Sequence, residues 1–400
     1  MLTLEKIKDA QATLSNAIYK TDVIRASKLS SDYELYLKTE NLQKTGSFKI
    51  RGAYYKISRL SAEEKKRGVI ACSAGNHAQG VALAASKNGI RSLICLPEGA
   101  PISKVEATRG YGAEICLVPG VYDDAYNRAI ELQKEQGYVF IHPFDDEDVI
   151  AGQGTIGLEI LSQLVDVDAI VVPVGGGGLI SGVAFAVKAV NPKVKVYGVQ
   201  AAGAPSMLNS LRDGKVESLS SVSTIADGIA VKQPGKCTFD YCKKYVNGIV
   251  TVNDDEIATA ILALIEKEKI VAEGAGATPL AAVLAGKLPE LKGKKVCCLI
   301  SGGNIDVTIM NRVVMRGLIM SGRQCTLNIE LLDKPGQLVE VSQIIAGCGA
   351  NVTGVHHEHA QAGSAVIGCF LRIDIETRNF EHIAQIKEKL TQAGFRICHS

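Results

Sequence analysis

The chain has 400 residues, 46% of them apolar, so it can bury a large core and is long enough for two or three domains. Its 44 basic and 42 acidic residues leave a net charge of +2, which offers no basic excess to nucleic acid or to an anionic membrane. With no Trp and 5% aromatics there is also little to stack on bases.

The charged start, Met1-Leu2-Thr3-Leu4-Glu5-Lys6, lacks an apolar signal core, and the eleven scattered cysteines include no pair of Cys-x-x-Cys motifs. Reduced thiols in a cytoplasmic protein are expected. Residues 1 to 18 read as a helix, with Ile7, Ala10, Leu14 and Ile18 on one face. From Gly68 onward, apolar runs alternate with helical patterns. Val69–Ser73, Ser92–Leu96, Glu114–Val118 and Tyr138–Ile141 read as strands, with Asn76–Asn88, Ser103–Tyr111 and Tyr122–Gln136 as helices between them. Strands at Ala169–Pro173, Lys195–Gln200, Gly248–Val252 and Lys295–Ile300 follow, again with helices between. This alternation predicts an α/β fold of two parallel-sheet subdomains, the smaller spanning about 50–145, with ligands at the carboxyl ends of strands. The uncharged stretch from Ala169 to Val187 is nearly long enough to span a bilayer, but Pro173 and four glycines make it strand, loop and helix. The pattern changes at Met320-Ser321-Gly322-Arg323. Beyond it, strand (Cys325–Leu332), helix (Gln337–Cys348), strand (Val352–His359), strand (Ser364–Ile375), helix (Asn379–Ala393) and strand (Phe395–Cys398) spell a ferredoxin-like βαββαβ unit. Domains are therefore expected at 1–322 and 323–400.

Four segments carry chemistry. In Ser47-Phe48-Lys49-Ile50-Arg51-Gly52-Ala53, a lysine beside an apolar ring opens a helix, which suits a depressed amine pKa and Schiff-base chemistry; a solvated surface lysine is the ordinary alternative. Ser73-Ala74-Gly75-Asn76-His77-Ala78-Gln79-Gly80 joins a strand to a helix, where exposed N–H groups suit a carboxylate, although an Asn-capped turn is common there. Gly175-Gly176-Gly177-Gly178-Leu179 likewise follows a strand and precedes a helix. It lacks the G-x-G-x-x-G spacing and the Lys-Ser/Thr of a nucleotide loop, yet its open amides make a phosphate cradle. Ser301-Gly302-Gly303-Asn304 ends a strand with a hydroxyl that could meet a flat ring edge-on, or simply turn the chain.

Together these segments resemble the fold-type-II pyridoxal-phosphate enzymes, and among them the threonine/serine dehydratases, over about residues 10 to 320. The resemblance implies pyridoxal 5'-phosphate as cofactor, with Lys49 as its carrier and catalytic base. It implies Asn76 at the ring hydroxyl, Gly175 to Gly178 at the phosphate and Ser301 at the pyridine nitrogen. Phe48, Leu179, Gly228 of Ala226-Asp227-Gly228, and Glu273 of Ala272-Glu273-Gly274-Ala275-Gly276 complete the cofactor pocket, and Ser73, Ala74, Gly75, Asn76 and His77 bind the substrate carboxylate. The implied reaction removes water and ammonia from threonine, and from serine. The segment Asp333-Lys334-Pro335-Gly336-Gln337-Leu338 within its βαββαβ unit is similar to an ACT domain, which implies an amino-acid effector, isoleucine or another branched-chain amino acid as first choice, and a homodimer or homotetramer.

The chain departs from this pattern in places. Related serine racemases have a serine where Ala74 stands, so alanine argues for a dehydratase. Gln200, Ala204 and Ser206 stand where some relatives bind a divalent ion, so no metal is expected. The usual Thr-Pro near the N-terminus reads Thr21-Asp22. Cysteine synthases, the nearest rivals, differ at both the asparagine and the glycine loops. A non-catalytic sensor is disfavoured by the intact Lys49. His356-His357-Glu358-His359 invites a metal reading, but a strand puts only His357 and His359 on one face, so a strand surface or effector interface is expected there.

Overall fold

The computed structural model of the chain describes residues 1–358 and 368–398. It divides into two compact units, Met1–Met310 and Asn311–Ser400, and the helix Val307–Met320 runs through the division. The change of pattern at Met320–Arg323 marks the end of that helix rather than the division itself.

The first unit holds two sheets. One has six strands in the order Val23–Arg25, Glu34–Lys38, Lys295–Leu299, Ala169–Pro173, Lys195–Ala201 and Gly248–Val252, all neighbours parallel except the first pair. The other has four parallel strands in the order Glu114–Val118, Ser92–Pro97, Val69–Cys72 and Val139–Phe140. A parallel sheet is covered on both faces, and its central strands are accordingly apolar throughout: every residue of Val69–Cys72 and of Ala169–Pro173 is buried. The uncharged stretch from Ala169 thus divides into that strand, the glycine loop and the helix Gly178–Val190. Among the described residues, no helix is long and apolar enough to cross a membrane.

The first helix is shorter than its apolar stripe. Thr3 caps it by accepting from the Lys6 amide at 3.1 Å, and it runs Leu4–Leu14, while Ile18 is buried beyond its end. Two strands, Val23–Arg25 and Glu34–Lys38, and three α-helices, Ala62–Arg67, Glu147–Gln163 and Val307–Met320, have no forecast in the sequence. Glu34–Lys38 places Lys38, fully buried, where a strand should be apolar. The helix Glu147–Gln163 carries Gly152, Gly154 and Gly157, a G-x-G-x-x-G spacing inside a helix. These glycines serve helix contact. A Cβ on Gly152 would lie 2.6 Å from the Arg51 carbonyl, and on Gly154 3.0 Å from that of Gly182. The helix that begins at Lys49 and the helix headed by the glycine loop therefore pack on one common helix, which sets their relative position.

A buried ion cluster fixes the same region. Arg51 is fully buried and donates to Glu40 at 2.7 and 2.8 Å and to Glu159 at 2.7 and 2.9 Å. Lys38 Nζ pairs with Glu159 at 2.7 Å and donates to the Thr21 carbonyl at 2.6 Å, and the Thr21 hydroxyl donates to Glu40. Two cations face two carboxylates, so no charge is left uncompensated in the dry interior. Thr21 acts here through its own hydroxyl and carbonyl, and Asp22 adds only its carbonyl, which accepts from the Thr39 amide at 3.1 Å.

The second unit is an antiparallel four-stranded sheet in the order Asn351–Glu358, Gly368–Glu376, Gln324–Leu332 and Arg396–Cys398, with helices Gln337–Gly347 and Phe380–Gln392. This is the βαββαβ arrangement. Leu327, Ile329, Val341, Ile373 and Ile386 form its core. His356 is exposed, and the His357 Nε2 lies 3.0 Å from the Cys369 sulfur. His359 and the start of the strand expected from Ser364 lie outside the described residues.

Candidate active site

Strand ends and helix starts converge on one cavity of about 930 Å³ between the two sheets of the first unit. Phe48, Lys49, Ser73, Ala74, Gly75, Asn76, His77, Gly175, Gly176, Gly177, Gly178, Leu179, Gly228, Glu273 and Ser301 all line it. Segments more than 250 residues apart thus meet, as expected where loops leave the carboxyl ends of parallel strands.

Lys49 opens the helix Lys49–Ser58. Backbone bonds hold its approach: Phe48 N–H donates to the Ser301 carbonyl at 3.0 Å, and Gly303 N–H to that of Gly46 at 2.8 Å. Its amine donates to the Pro143 carbonyl at 2.8 Å and sits 5.4 Å from the Phe48 ring centre. The side chain lines the cavity, and loss of water around it pulls the amine down to about 8, with Glu273 opposing. At pH 7 the neutral fraction of that amine rises from about 1 in 3,000 to about 1 in 10.

The glycine loop joins the strand Ala169–Pro173 to the helix Gly178–Val190. Gly177 has φ +96°, a conformation only glycine adopts without strain. Among the described residues no acceptor takes the N–H groups of Gly175 to Leu179. Orphan amides at the positive end of a buried helix make an anion site. The loop is walled by protein: a Cβ on Gly176 would lie 2.4 Å from the Phe144 ring, and on Gly177 2.6 Å from the Met207 methyl. Thr238 ties it down by donating to the Gly176 carbonyl at 2.6 Å.

The asparagine loop leaves the strand Val69–Cys72 for the helix Asn76–Lys87. Gly75 N–H donates to the Ser73 hydroxyl at 3.1 Å, whereas the amides of Ala74, Asn76 and His77 meet no protein acceptor among the described residues. Asn76 Nδ2 donates to Glu273 at 2.7 Å. Burial, then the Asp227 charge, pushes the Glu273 carboxyl up to about 7. His77 is buried and bonded through Nε2 to the Ile141 carbonyl at 2.8 Å; burial, then the Lys49 charge, holds it down to about 3, so it stays neutral. Ser301, 2% exposed, lines the cavity with no protein partner for its hydroxyl among the described residues.

A family profile described as "Pyridoxal-phosphate dependent enzyme" matches residues 14–302. The chain belongs to this family. It is 52% identical over 399 residues to the L-threonine ammonia-lyase of Thermotoga maritima, covering 99% of each chain. It is 45% identical over 315 residues to the catabolic L-threonine dehydratase of Escherichia coli, covering 78% of this chain and 96% of that one. Among solved structures, the processed form of threonine deaminase isoform 2 from Solanum lycopersicum superposes with a TM-score of 0.75 at 39% identity, covering 78% of this chain and 92% of that chain.

The cavity fits the family's cofactor on its own terms. It offers a neutralisable amine, a cradle of orphan amides for a dianion and a lone hydroxyl for a ring atom. Gln200 Nε2 donates to the Ala204 carbonyl at 3.2 Å, and its Oε1 accepts from the Leu208 amide at 2.8 Å.

Several cavity residues have no mark in the sequence. His142 Nδ1 accepts from the amides of Phe144 and Asp145 at 3.2 and 2.8 Å, forming the turn that aims the Pro143 carbonyl at Lys49. Lys104 and Asp227 pair at 2.6 Å, and Lys232 and Asp123 at 3.2 Å. All four line the cavity, and each pair joins a helix flanking the smaller sheet to the segment 222–236. Asn304 belongs to a motif singled out in the sequence, but nothing local distinguishes it.

Proposed function

We propose that this enzyme removes water and ammonia from L-threonine to give 2-oxobutanoate, and acts likewise on L-serine to give pyruvate. Full-length similarity to a threonine ammonia-lyase supports the activity. The single structural observation that carries it is that the Lys49 amine and the two sets of orphan amides line one cavity.

In this reading Lys49 would hold the pyridoxal 5'-phosphate, the amides of Gly175 to Leu179 would take its phosphate, and Phe48, Asn76, Gly228, Glu273 and Ser301 would line its place. When bound, the cofactor withdraws electrons and makes the substrate's α-proton acidic. The amides of Ser73 to His77 receive the substrate carboxylate at the start of a helix. Lys49 Nζ, kept partly neutral by burial, takes the α-proton, which balances the proton the β-hydroxyl gains to leave as water. Ser301 offers a neutral hydroxyl, not a carboxylate, so it places no negative charge beside the ring. The enamine product tautomerises and hydrolyses to the 2-oxo acid and ammonia. His77, held down to about 3 by burial, is a far weaker base than Lys49 and keeps its Nε2 proton on the Ile141 carbonyl.

The second unit is read as an ACT domain that binds an amino-acid effector, with the chain assembled as a homodimer or homotetramer. The cytoplasm is its proposed location, in keeping with eleven free cysteines. The deciding experiment measures 2-oxo acid release from threonine and serine together with the visible spectrum of the purified protein. Absence of a visible band, or of any 2-oxo acid, defeats the reading.

A further inference from the structure

Asn304 has no assigned role, yet it joins three of the segments that line the cavity. Its Nδ2 donates to the Thr45 carbonyl at 2.7 Å, in the loop that leads to Lys49. The same nitrogen donates to Asn76 Oδ1 at 2.8 Å, at the head of the helix in the asparagine loop. Asn304 itself stands in the turn after Ser301. Gly46 makes room for this: with φ +69°, it has its missing Cβ position 2.3 Å from Asn304 Oδ1.

The orientation of these amides follows from one fixed point. A backbone carbonyl only accepts, so the atom of Asn304 facing Thr45 must be its nitrogen. That nitrogen then requires an acceptor in Asn76, which must be Oδ1. Asn76 Nδ2 is thereby turned to the Glu273 carboxyl, which accepts at 2.7 Å. Reversing Asn304 would set acceptor against acceptor at Thr45, and reversing Asn76 alone would set its nitrogen against the Asn304 nitrogen, donor against donor. Gly302 leaves space for the last bond, since a Cβ there would lie 2.5 Å from Glu273 Oε1 and 3.2 Å from Asn76 Nδ2. The Asn76 oxygen and one of its amide hydrogens are both committed. Its second N–H has no protein acceptor among the described residues, and the residue lines the cavity.

We propose that Asn304 and Glu273 are positioning residues that fix Asn76 as a hydrogen-bond donor toward the cavity, so that the ligand must present an oxygen lone pair there, as an ionised ring hydroxyl does. This rests on the cofactor reading above. Asn304 supplies the direction and Glu273 keeps it, so loss of either frees the Asn76 amide to turn its oxygen inward against the ligand's oxygen.

The test compares purified Asn304→Asp, Glu273→Ala, Glu273→Gln and Lys49→Ala with the native enzyme. It reads the pyridoxal phosphate dissociation constant by titration of apoenzyme, the position of the visible band, and the melting temperature of the apoenzyme. An aspartate at 304 accepts but cannot donate, so it opposes both Thr45 and Asn76. Asn304→Asp and Glu273→Ala should each raise the dissociation constant on the order of tenfold and displace the band. Glu273→Gln, whose amide oxygen still accepts from Asn76, should restore the native band. Asn304→Ala is read in the same way where Asn304→Asp does not fold. A native band and dissociation constant in the 304 variant, with the band lost in Lys49→Ala, overturns the proposal while the cofactor reading stands. A band that survives Lys49→Ala overturns both.

Discussion

Replacing Gly177 by alanine separates the demands of the fold from those of the ligand. At φ +96° an L-residue costs about 1–2 kcal/mol. The new Cβ would also lie 2.6 Å from the Met207 methyl and 2.8 and 2.9 Å from the Thr238 Cβ and hydroxyl. Met207 ends in a flexible methyl and can yield, but Thr238 is β-branched and held by bonds to the Gly176 and Gly235 carbonyls at 2.6 and 3.1 Å. Overpacking of this kind costs about 1–3 kcal/mol. A total of about 2–5 kcal/mol is expected, met either by global stability or by displacement of the loop. Displacement would weaken cofactor binding by about tenfold for each 1.4 kcal/mol it takes. Gly75→Ala is the matched control: its φ is −140° and a Cβ there meets nothing within 4 Å, so the fold should not notice it. It should still lower kcat/KM, because a methyl then stands where the substrate carboxylate is received. Urea unfolding of apoenzyme and cofactor titration of both variants check this. A Gly177→Ala enzyme with native stability and native cofactor affinity would refute the reasoning, as would a Gly75→Ala enzyme that unfolds early.

The other expectations follow from the same geometry. Lys49→Ala should abolish activity and the visible band without loss of fold, seen by absorbance and circular dichroism. Ser301→Asp should slow dehydration and raise transamination, because an acidic partner favours a protonated ring nitrogen; product analysis would show it. Glu273 titrates near 7 in the folded chain against 4.5 as the ordinary value, so the folded state keeps a proton the unfolded chain has released. Its contribution to apoenzyme stability is full below about 4.5 and lost as pH rises through about 7; Glu273→Gln should flatten this decline, up to about 3 kcal/mol, in urea unfolding at about pH 5 and about pH 8. Truncation after Gly322 should leave an active enzyme that no longer answers amino-acid effectors, with a coupling of about 1–3 kcal/mol lost in calorimetry and kinetics. Equal effector binding by the truncated form would show that the second unit is not the sensor.

What the sequence by itself determined was whatever is encoded locally. Strands such as Val69–Cys72 and Ala169–Pro173 are apolar throughout because parallel sheets bury both faces, and that run is visible one residue after another. The glycine loop, the asparagine loop and the lysine helix were legible because each sits at a strand end or helix start with its own residue pattern. The fold of the second unit was legible for the same reason, in the switch between strand and helix periods. Only the tertiary structure decided what depends on meetings between distant segments. Lys38 and Arg51 are polar residues in sequence and buried ones in the fold, because Glu40 and Glu159 come to neutralise them. Gly152, Gly154 and Gly157 spell a nucleotide motif in sequence and a helix contact in space. The depressed amine of Lys49, the Pro143 carbonyl that holds it, and the direction in which Asn76 points arise from burial and from partners far along the chain. Desolvation and hydrogen-bond direction are properties of an enclosed space, and a linear sequence fixes neither until the chain has closed around it.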